Sequence, residues 1–270
     1  MLKSLLDRLV RAALSDETGS RNVQVTLFFF LVLPVLLVAT ISSMKTYKDL
    51  TEAVLAFREA FASLAAATLK ERIDRLKDLG LSLAIRPRVR QLVAKGLWEE
   101  AIQFLQDLPQ DFPALERLFL VDLDGRLRAD APALPGVRGE NFSHRDWYKG
   151  ISREWKPYLS EPYRRKAEPQ YNVVAAAIPI RGEDGAPTGI LVLQVKLDTF
   201  FEWSKEVGVE GDAFLYITDR RGRVVSRPHL PPHEEVLDFS GVAPVQRALR
   251  GERGIIISQD PVGTEQQVGA

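Results

Sequence analysis

The sequence contains no cysteine among its 270 residues. This absence excludes disulfide bonds, thiolate metal sites and a cysteine nucleophile, although it leaves an oxidising compartment open. An excess of one charge is also missing, because 36 Lys and Arg residues balance 36 Asp and Glu residues. No global electric field therefore draws the chain to nucleic acid, and we expect no nucleic-acid partner.

Catalytic motifs are missing as well. Ser143 and His144 are adjacent, so their side chains would diverge rather than pair, and no G-x-S-x-G elbow exists. His229 and His233 are four residues apart, but the intervening Leu-Pro-Pro forbids the helix that would align them on a metal. No glycine-rich phosphate-binding loop is visible. We expect no catalytic residue, no metal and no cofactor.

Charge disappears altogether between Asn22 and Met44, where the core of the run reads VQVTLFFFLVLPVLLVATIS. These 23 positions would reach about 34 Å as a helix, enough to cross a hydrocarbon layer about 30 Å thick. A cleavable signal peptide is the alternative, but the run is too long and no small-x-small site follows it. The pattern predicts a transmembrane helix at residues 22–44.

The flanks of this helix predict its orientation. The short N-terminal side carries four basic residues: Lys3, Arg8, Arg11 and Arg21. By the positive-inside rule, residues 1–21 are cytoplasmic and the long C-terminal part lies outside the cell (inner) membrane. Residues 2–14 have one apolar face, which fits either a helix on the inner leaflet or a short helix packed on a partner.

A long helix should follow the membrane segment, because no glycine occurs from Met44 until Gly80 and no proline until Pro87. Its first apolar stripe is Tyr47, Leu50, Val54, Phe57, Phe61 and Leu64, and the second is Leu69, Ile73, Leu76, Gly80 and Leu83. The 3-4 spacing is of coiled-coil type. We expect the first stripe to contact a sister helix in a homodimer and the second to contact the chain's own sheet. Alternatively, both pack on the chain itself. A second amphipathic helix, running to Leu108, completes a stalk region at residues 45–110.

After the stalk region, the spacing of apolar residues changes from that of a helix to that of a β-strand. The run LERLFLVDLDGRLRAD reads as a hairpin, and further strands are predicted at Lys156–Tyr163, Tyr171–Ile180 and Gly189–Leu197. The turn Asp122–Arg126 recurs 97 residues later as Asp219–Arg223. We therefore predict an α+β fold with two tandem PAS-like antiparallel lobes, a membrane-distal lobe at residues 111–200 and a truncated membrane-proximal lobe at residues 201–270.

The order of these parts, with the motifs GENFSHRDWYKG, EPYRR and GILVLQVKLDTF, resembles a double Cache sensor domain. Such domains are extracytoplasmic sensors of bacterial chemoreceptors, histidine kinases and diguanylate cyclases. The resemblance runs from about residue 45 to the end of the chain. It implies that the distal lobe binds a small molecule and that this chain is a fragment of a membrane receptor whose output region lies elsewhere.

The resemblance also implies site residues. In amino-acid-binding members an Arg-x-Trp-Tyr motif holds the ligand carboxylate, and Arg145, Trp147 and Tyr148 match it. Tyr163 matches the next motif, but Arg165 and Gln194 stand where the family has the two aspartates that hold the ligand ammonium. Glu140 replaces a further tyrosine.

These departures change the expected ligand. A guanidinium forms two charge-assisted bonds to a carboxylate, whereas an ammonium group would be repelled by Arg165 and would find only a neutral carbonyl on Gln194. We expect an anionic or carboxylate-bearing ligand rather than an ordinary α-amino acid, unless Glu140 or Glu161 points inward. The alternatives are that Trp147 and Tyr148 are core packing and Arg145 caps a carbonyl, and that the module is a ligand-free dimerisation domain.

Overall fold

The structure is a computed structural model that describes residue 8 and residues 17–205, 216–226, 237–259 and 265–269. The expected amphipathic segment at residues 2–14 lies outside the described residues, apart from Arg8, and so do His229 and His233. The chain divides into two units, residues 1–57 and 58–270.

Helix α1 (Glu17–Ala84) runs without interruption through both the predicted membrane segment and the predicted stalk. Within the described residues it is the one helix long and apolar enough to cross a membrane, with a mean hydropathy of 2.5 in an apolar window of which 0% is buried. Pro34 lies inside it. The Thr40 hydroxyl donates to the Leu36 carbonyl at 2.7 Å, which satisfies this polar group within the helix, as an apolar environment requires.

The last turns of α1 belong to the second unit and pack on the sheet, as the second stripe predicts. Leu76, Leu83 and Ala84 are buried in the main apolar cluster. At Gly80 an added Cβ would lie 2.5 Å from Cγ1 of Ile178 and 3.1 Å from Cδ1 of Leu193. Glycine therefore allows the helix to approach the sheet closely.

Replacing Gly80 with alanine should lower the free energy of unfolding by about 1–2 kcal/mol, because overpacking costs more than the helix propensity that alanine adds. Urea titration of the full chain in detergent micelles measures this. Gly241→Ala is the matched control, since no atom lies within 4 Å of its added Cβ. Equal stability of the Gly80 variant and wild type would contradict this packing.

The second amphipathic helix was predicted as one element, which is wrong. The structure has three short helices instead, α2 (Pro87–Ala94), α3 (Trp98–Gln103) and α4 (Leu108–Asp111). Gly96 adopts a φ of +72°, and the Leu97 amide donates back to the Leu92 carbonyl at 2.9 Å. This left-handed glycine cap ends α2 and turns the chain.

The distal lobe is a six-stranded antiparallel sheet of order β2-β1-β6-β5-β3, with β4 also paired to β5. Its strands are β1 (Leu115–Val121), β2 (Leu127–Ala131), β3 (Tyr158–Leu159), β4 (Tyr163–Arg164), β5 (Asn172–Arg181) and β6 (Pro187–Lys196). Helices α1, α2 and α3 cover one face. Helix α5 (Asp146–Glu154) covers the other.

One predicted strand, Lys156–Tyr163, is divided in the structure. Strands β3 and β4 are separated by Ser160–Pro162, because Pro162 cannot donate to the ladder. Ser160 bridges the gap: its amide donates to the Ala175 carbonyl at 2.9 Å, and its hydroxyl accepts from the Ala175 amide at 2.9 Å. The break leaves Tyr163–Arg165 as a separate segment beside β5.

The second lobe follows helix α6 (Leu197–Lys205) and contains β7 (Ile217–Thr218), β8 (Val224–Ser226), α7 (Ala243–Leu249), β9 (Ile255–Gln259) and β10 (Glu265–Gly269). Strand β7 pairs with β8, and β9 pairs with β10, both antiparallel.

The two turns repeat each other in detail. Gly125 and Gly222 both have a positive φ, +84° and +78°. The Phe142 amide donates to the Gly125 carbonyl at 2.7 Å, and the Phe239 amide donates to the Gly222 carbonyl at 2.9 Å. The same 97-residue offset relates every one of these positions. The fold class, two tandem lobes of mixed helix and antiparallel sheet, is confirmed, while the segment boundaries stay a prediction.

Candidate functional site

The distal lobe has a partly open cavity between its sheet and helix α5. We call it the distal cavity. Its volume is about 20 Å³, room for about one water molecule. Twelve residues line it: Arg117, Phe119, Leu127, Val137, Phe142, Arg145, Trp147, Tyr163, Arg165, Lys166, Ala167 and Gln194. Four of them are cationic and none is a carboxylate, so the chemistry of the wall favours an anion.

Five of the six sequence-predicted site residues lie in this wall: Arg145, Trp147, Tyr163, Arg165 and Gln194. Tyr148 does not. Its hydroxyl donates to the Leu123 carbonyl in the β1–β2 turn at 2.6 Å, and burial raises its pKa. Tyr148 follows Trp147 on α5 and is rotated about 100° around the helix axis, so it packs against the turn rather than facing the cavity.

Arg145 is the N-cap residue of α5, with extended backbone angles of φ −72° and ψ 149°. Its guanidinium carbon lies 4.9 Å from the centroid of the Tyr163 ring. Nε of Arg145 is buried and has no hydrogen-bond partner among the described residues. No described carboxylate forms an ion pair with the guanidinium, and no described carbonyl accepts a hydrogen bond from the guanidinium. The capping role considered from the sequence is therefore not observed.

Trp147 belongs to the apolar cluster between the sheet and α5 and also lines the distal cavity. It is 1% exposed, and its ring meets Phe119 edge to face at 5.8 Å between centroids. Desolvation raises the pKa of Tyr163 far above its usual value, and Arg145, Arg117 and a hydrogen bond with Trp147 only partly offset this. The Tyr163 hydroxyl is therefore neutral, and the ring offers Arg145 a flat face.

Arg165 reaches the cavity with its charge already balanced. Its NH1 pairs with the Glu116 carboxylate, its Nε donates to the Pro169 carbonyl at 2.7 Å, and its guanidinium stacks 3.9 Å from the centroid of Tyr171. Glu116 thus neutralises Arg165, although it is not a lining residue. The predicted repulsion of ammonium by Arg165 is correspondingly weakened.

Sequence reasoning missed Arg117, a residue of β1 that is 4% exposed. The β1–β6 register shifts between Leu115 and Arg117, and such a bulge redirects side chains. One guanidinium nitrogen of Arg117 pairs with Asp130, which also accepts from Arg138 Nε at 2.6 Å and the Leu134 amide at 2.8 Å. The available signal was the charged pair Glu116-Arg117 inside an otherwise apolar strand.

Neither proposed substitute for the missing aspartates lines the distal cavity. Glu140 forms an exposed ion pair with Lys166 Nζ at 2.8 Å, and this contact lowers its pKa. Glu161 donates its amide to Asp146 at 2.9 Å, and its carboxyl group faces Asp219 of the second lobe.

Burial is the main cause that raises the pKa of Glu161 above its usual 4.5. The charge and hydrogen bond of Asp219 and the charge of Asp146 raise it further, while the charge of Arg223 lowers it. The folded state thus binds this proton more tightly than the unfolded state, and stability is lost as pH rises from about 4.5 through the raised value. Glu161→Gln should be more stable than wild type at pH 7, and the difference should vanish near pH 4. Thermal unfolding across this range measures it, with exposed Glu183→Gln as control. A pH-independent difference would contradict the assignment.

The sequence matches the Cache domain family over residues 41–268, and no curated protein matches the chain. Among solved structures it is similar to the ligand-binding domain of the Pseudomonas aeruginosa amino acid chemoreceptor PctB in complex with L-Arg. The TM-score is 0.56 at 20% identity, over 72% of this chain and 78% of that one.

Two further structures show the same fold. The sensory domain of the Campylobacter jejuni chemoreceptor Tlp3, with isoleucine bound, gives a TM-score of 0.59 at 13% identity over 79% of this chain and 86% of that one. An extracellular ligand-binding receptor from Desulfohalobium retbaense gives 0.55 at 15% identity, over 75% of this chain. The present chain spans only 36% of that receptor's length.

Proposed function

The chain belongs to the Cache domain family, whose members are extracytoplasmic ligand-binding sensors, and we propose that its distal lobe binds a small carboxylate-bearing molecule. The whole protein would be a membrane receptor, anchored by α1 with its N-terminus in the cytoplasm. The family senses ligands rather than catalysing reactions. As a receptor it would pass its signal to an output region of the kinase, cyclase or methyl-accepting class.

A single observation carries the proposal: Arg145 presents a guanidinium with no described counter-charge to a cavity that no carboxylate lines. Arg145 is half-buried, its buried Nε has no described partner, and a buried polar group without a partner costs free energy. A ligand carboxylate would supply the missing partner. PctB and Tlp3 have amino acids bound. Here Gln194 and the Glu116-paired Arg165 offer no carboxylate to an ammonium group, so an acid without an amino group should bind better.

The test is thermal unfolding of the full chain in detergent micelles with matched acids and amino acids, such as propionate against L-alanine. A ligand at one hundred times its Kd stabilises the folded state by about 2.7 kcal/mol. We expect stabilisation by the acid and little by the amino acid. Tighter binding of several free L-amino acids would reject the proposal.

A ligand-free dimerisation module is the second candidate, favoured by the small volume of the distal cavity, about 20 Å³. A carboxylate of three or more carbons can enter only if the wall moves. Lys166 is the lining side chain held by an exposed ion pair, with Glu140, and exposed ion pairs contribute little to stability, so its side chain can move at little cost. The absence of any hit among small organic acids would favour the second candidate.

We further propose that the first stripe of α1 forms a homodimer and carries the signal. Tyr47, Leu50 and Val54 are 75%, 62% and 40% exposed, although their 3-4 spacing is that of a packed seam. Ligand binding would shift the two helices by about 1–2 Å, as interface helices commonly move. This shift requires different affinities for the two packings.

Disulfide cross-linking tests the dimer directly, because the chain has no cysteine to remove. Leu50→Cys should cross-link in membranes, and its yield should change on addition of ligand. Glu52→Cys is the control, because Glu52 lies on the opposite side of the helix from Leu50. There its Oε1 lies 3.7 Å from Nζ of Lys48. Equal cross-linking yields at positions 50 and 52 would contradict a dimer formed through the first stripe of α1.

A further inference from the structure

Arg117 and Gln194 lie directly opposite each other in the β1–β6 register. Both line the distal cavity, and they are 4% and 2% exposed. Nε of Arg117 and Nε2 of Gln194 have no hydrogen-bond partner in the part of the chain that the structure describes. Two buried donors thus stand side by side without an acceptor.

The ion pair between Arg117 and Asp130 does not use the Nε atom of Arg117. Asp130 takes one terminal nitrogen of the guanidinium and is itself held by Arg138 and the Leu134 amide. Asp130 is therefore a positioning residue: it fixes the guanidinium and leaves Nε unused. The neutral side chain of Gln194 likewise has a buried Nε2 without a partner among the described residues. Buried polar groups are normally satisfied, so a pair of adjacent exceptions that both line a cavity indicates a missing acceptor.

Three of the four cations that line the cavity are already paired with carboxylates of the chain, which limits the negative charge that a ligand should carry. Arg165 is balanced by Glu116, Lys166 by Glu140, and the Arg117–Arg138 pair by Asp130 and Glu99. Arg145 is the one lining cation that no described carboxylate balances. Among the described residues, the wall thus leaves Arg145 without a carboxylate and leaves Arg117 Nε and Gln194 Nε2 without an acceptor.

On the basis of the proposed function, we infer that the ligand is a small oxo acid. Its carboxylate would bind Arg145, and its carbonyl oxygen would accept from Arg117 Nε and the Gln194 amide nitrogen. Such a ligand satisfies both donors and adds a single charge. An amino acid would place a donor where two donors already stand, and a simple fatty acid would leave both unsatisfied.

Matched three-carbon ligands separate these cases by calorimetric titration of the full chain in detergent micelles. Pyruvate supplies the carbonyl, propionate has a methylene group there, L-alanine has an ammonium group on that carbon, and malonate lacks the carbonyl and carries a second carboxylate in place of the methyl group. We expect pyruvate to bind at least about tenfold more tightly than each of the others. A four-carbon series (2-oxobutyrate, butyrate, 2-aminobutyrate and succinate) should give the same order.

Single substitutions test whether Gln194 causes the preference for pyruvate over propionate. Gln194→Leu should reduce the preference for pyruvate over propionate to less than about threefold, because one of the two donors to the carbonyl oxygen is removed. Gln91→Leu, on the exposed side of α2, should keep the full preference. The ligand ratios of the wild-type chain test the inference even if Gln194→Leu does not fold.

The outcomes are distinguishable. Equal binding of pyruvate and propionate would overturn this inference and leave the carboxylate proposal standing, and so would tighter binding of malonate than pyruvate. No binding of any acid, or tightest binding of L-alanine, would overturn both.

Discussion

Arg145→Met is expected to weaken binding of the carboxylate ligand by about 100-fold or more. Two charge-assisted hydrogen bonds to the carboxylate disappear, each contributing about 1.5–3 kcal/mol, and 1.4 kcal/mol corresponds to a factor of ten. Without ligand the variant should be at least as stable as wild type, because it removes a partly buried cation whose Nε has no described partner. Calorimetric titration and urea unfolding of the same preparation measure both quantities.

Arg153→Met is the control for this variant. Arg153 lies in the last turn of the same helix α5 and is exposed, so its loss should leave ligand affinity within about twofold. Arg145→Lys should also bind poorly, because an ammonium group cannot reproduce the two parallel bonds of a guanidinium. Unchanged affinity in Arg145→Met would assign Arg145 a purely structural role.

Asp130→Ala should lower the free energy of unfolding by about 3–5 kcal/mol, since it leaves the buried Arg117 without its counter-charge. Asp130 is 3% exposed, and Arg117 is 4% exposed. Burial already lowers the pKa of Arg117, and Asp130 is the main group that raises it again. Urea titration in micelles measures the loss.

Two comparisons isolate the cause. The double variant Arg117→Met with Asp130→Leu should recover most of the stability, because a buried ion pair can be replaced by apolar side chains at little cost. Glu154→Ala breaks the exposed Glu154–Lys156 pair and should change stability by less than about 1 kcal/mol. A double variant as unstable as Asp130→Ala would show that volume, not charge, causes the loss.

The features that were predicted correctly depend on local sequence. The long apolar helix follows from the uncharged run and from the apolar stripe that ends in Leu76, Gly80 and Leu83, and its passage through a membrane stays a prediction. The two lobes follow from the recurrence of Asp122–Arg126 at Asp219–Arg223. Arg145 and Trp147 both line the distal cavity because they lie in one short motif at the start of a helix, and their role in ligand binding stays a prediction.

The missed features depend on distant parts of the chain. Arg117 contributes to the cavity because β1 pairs with β6, which places it opposite Gln194, and a bulge that leaves no clear mark in the sequence redirects its side chain. Arg165 was expected to add charge to the site, but Glu116, 49 residues away, balances it. Tyr148 was assigned from the motif alone, whereas the helical rotation directs it to the Leu123 carbonyl.

The most direct test of ligand capture by Arg145 is mass spectrometry of the small molecules released when purified full-chain protein is denatured. We expect wild-type protein to release a small organic acid without a primary amine, in amounts approaching one per chain. Arg145→Met protein, purified in parallel, should release none. Recovery of an amino acid from wild type, or of the same acid in equal amounts from both proteins, would contradict the assignment of the distal cavity.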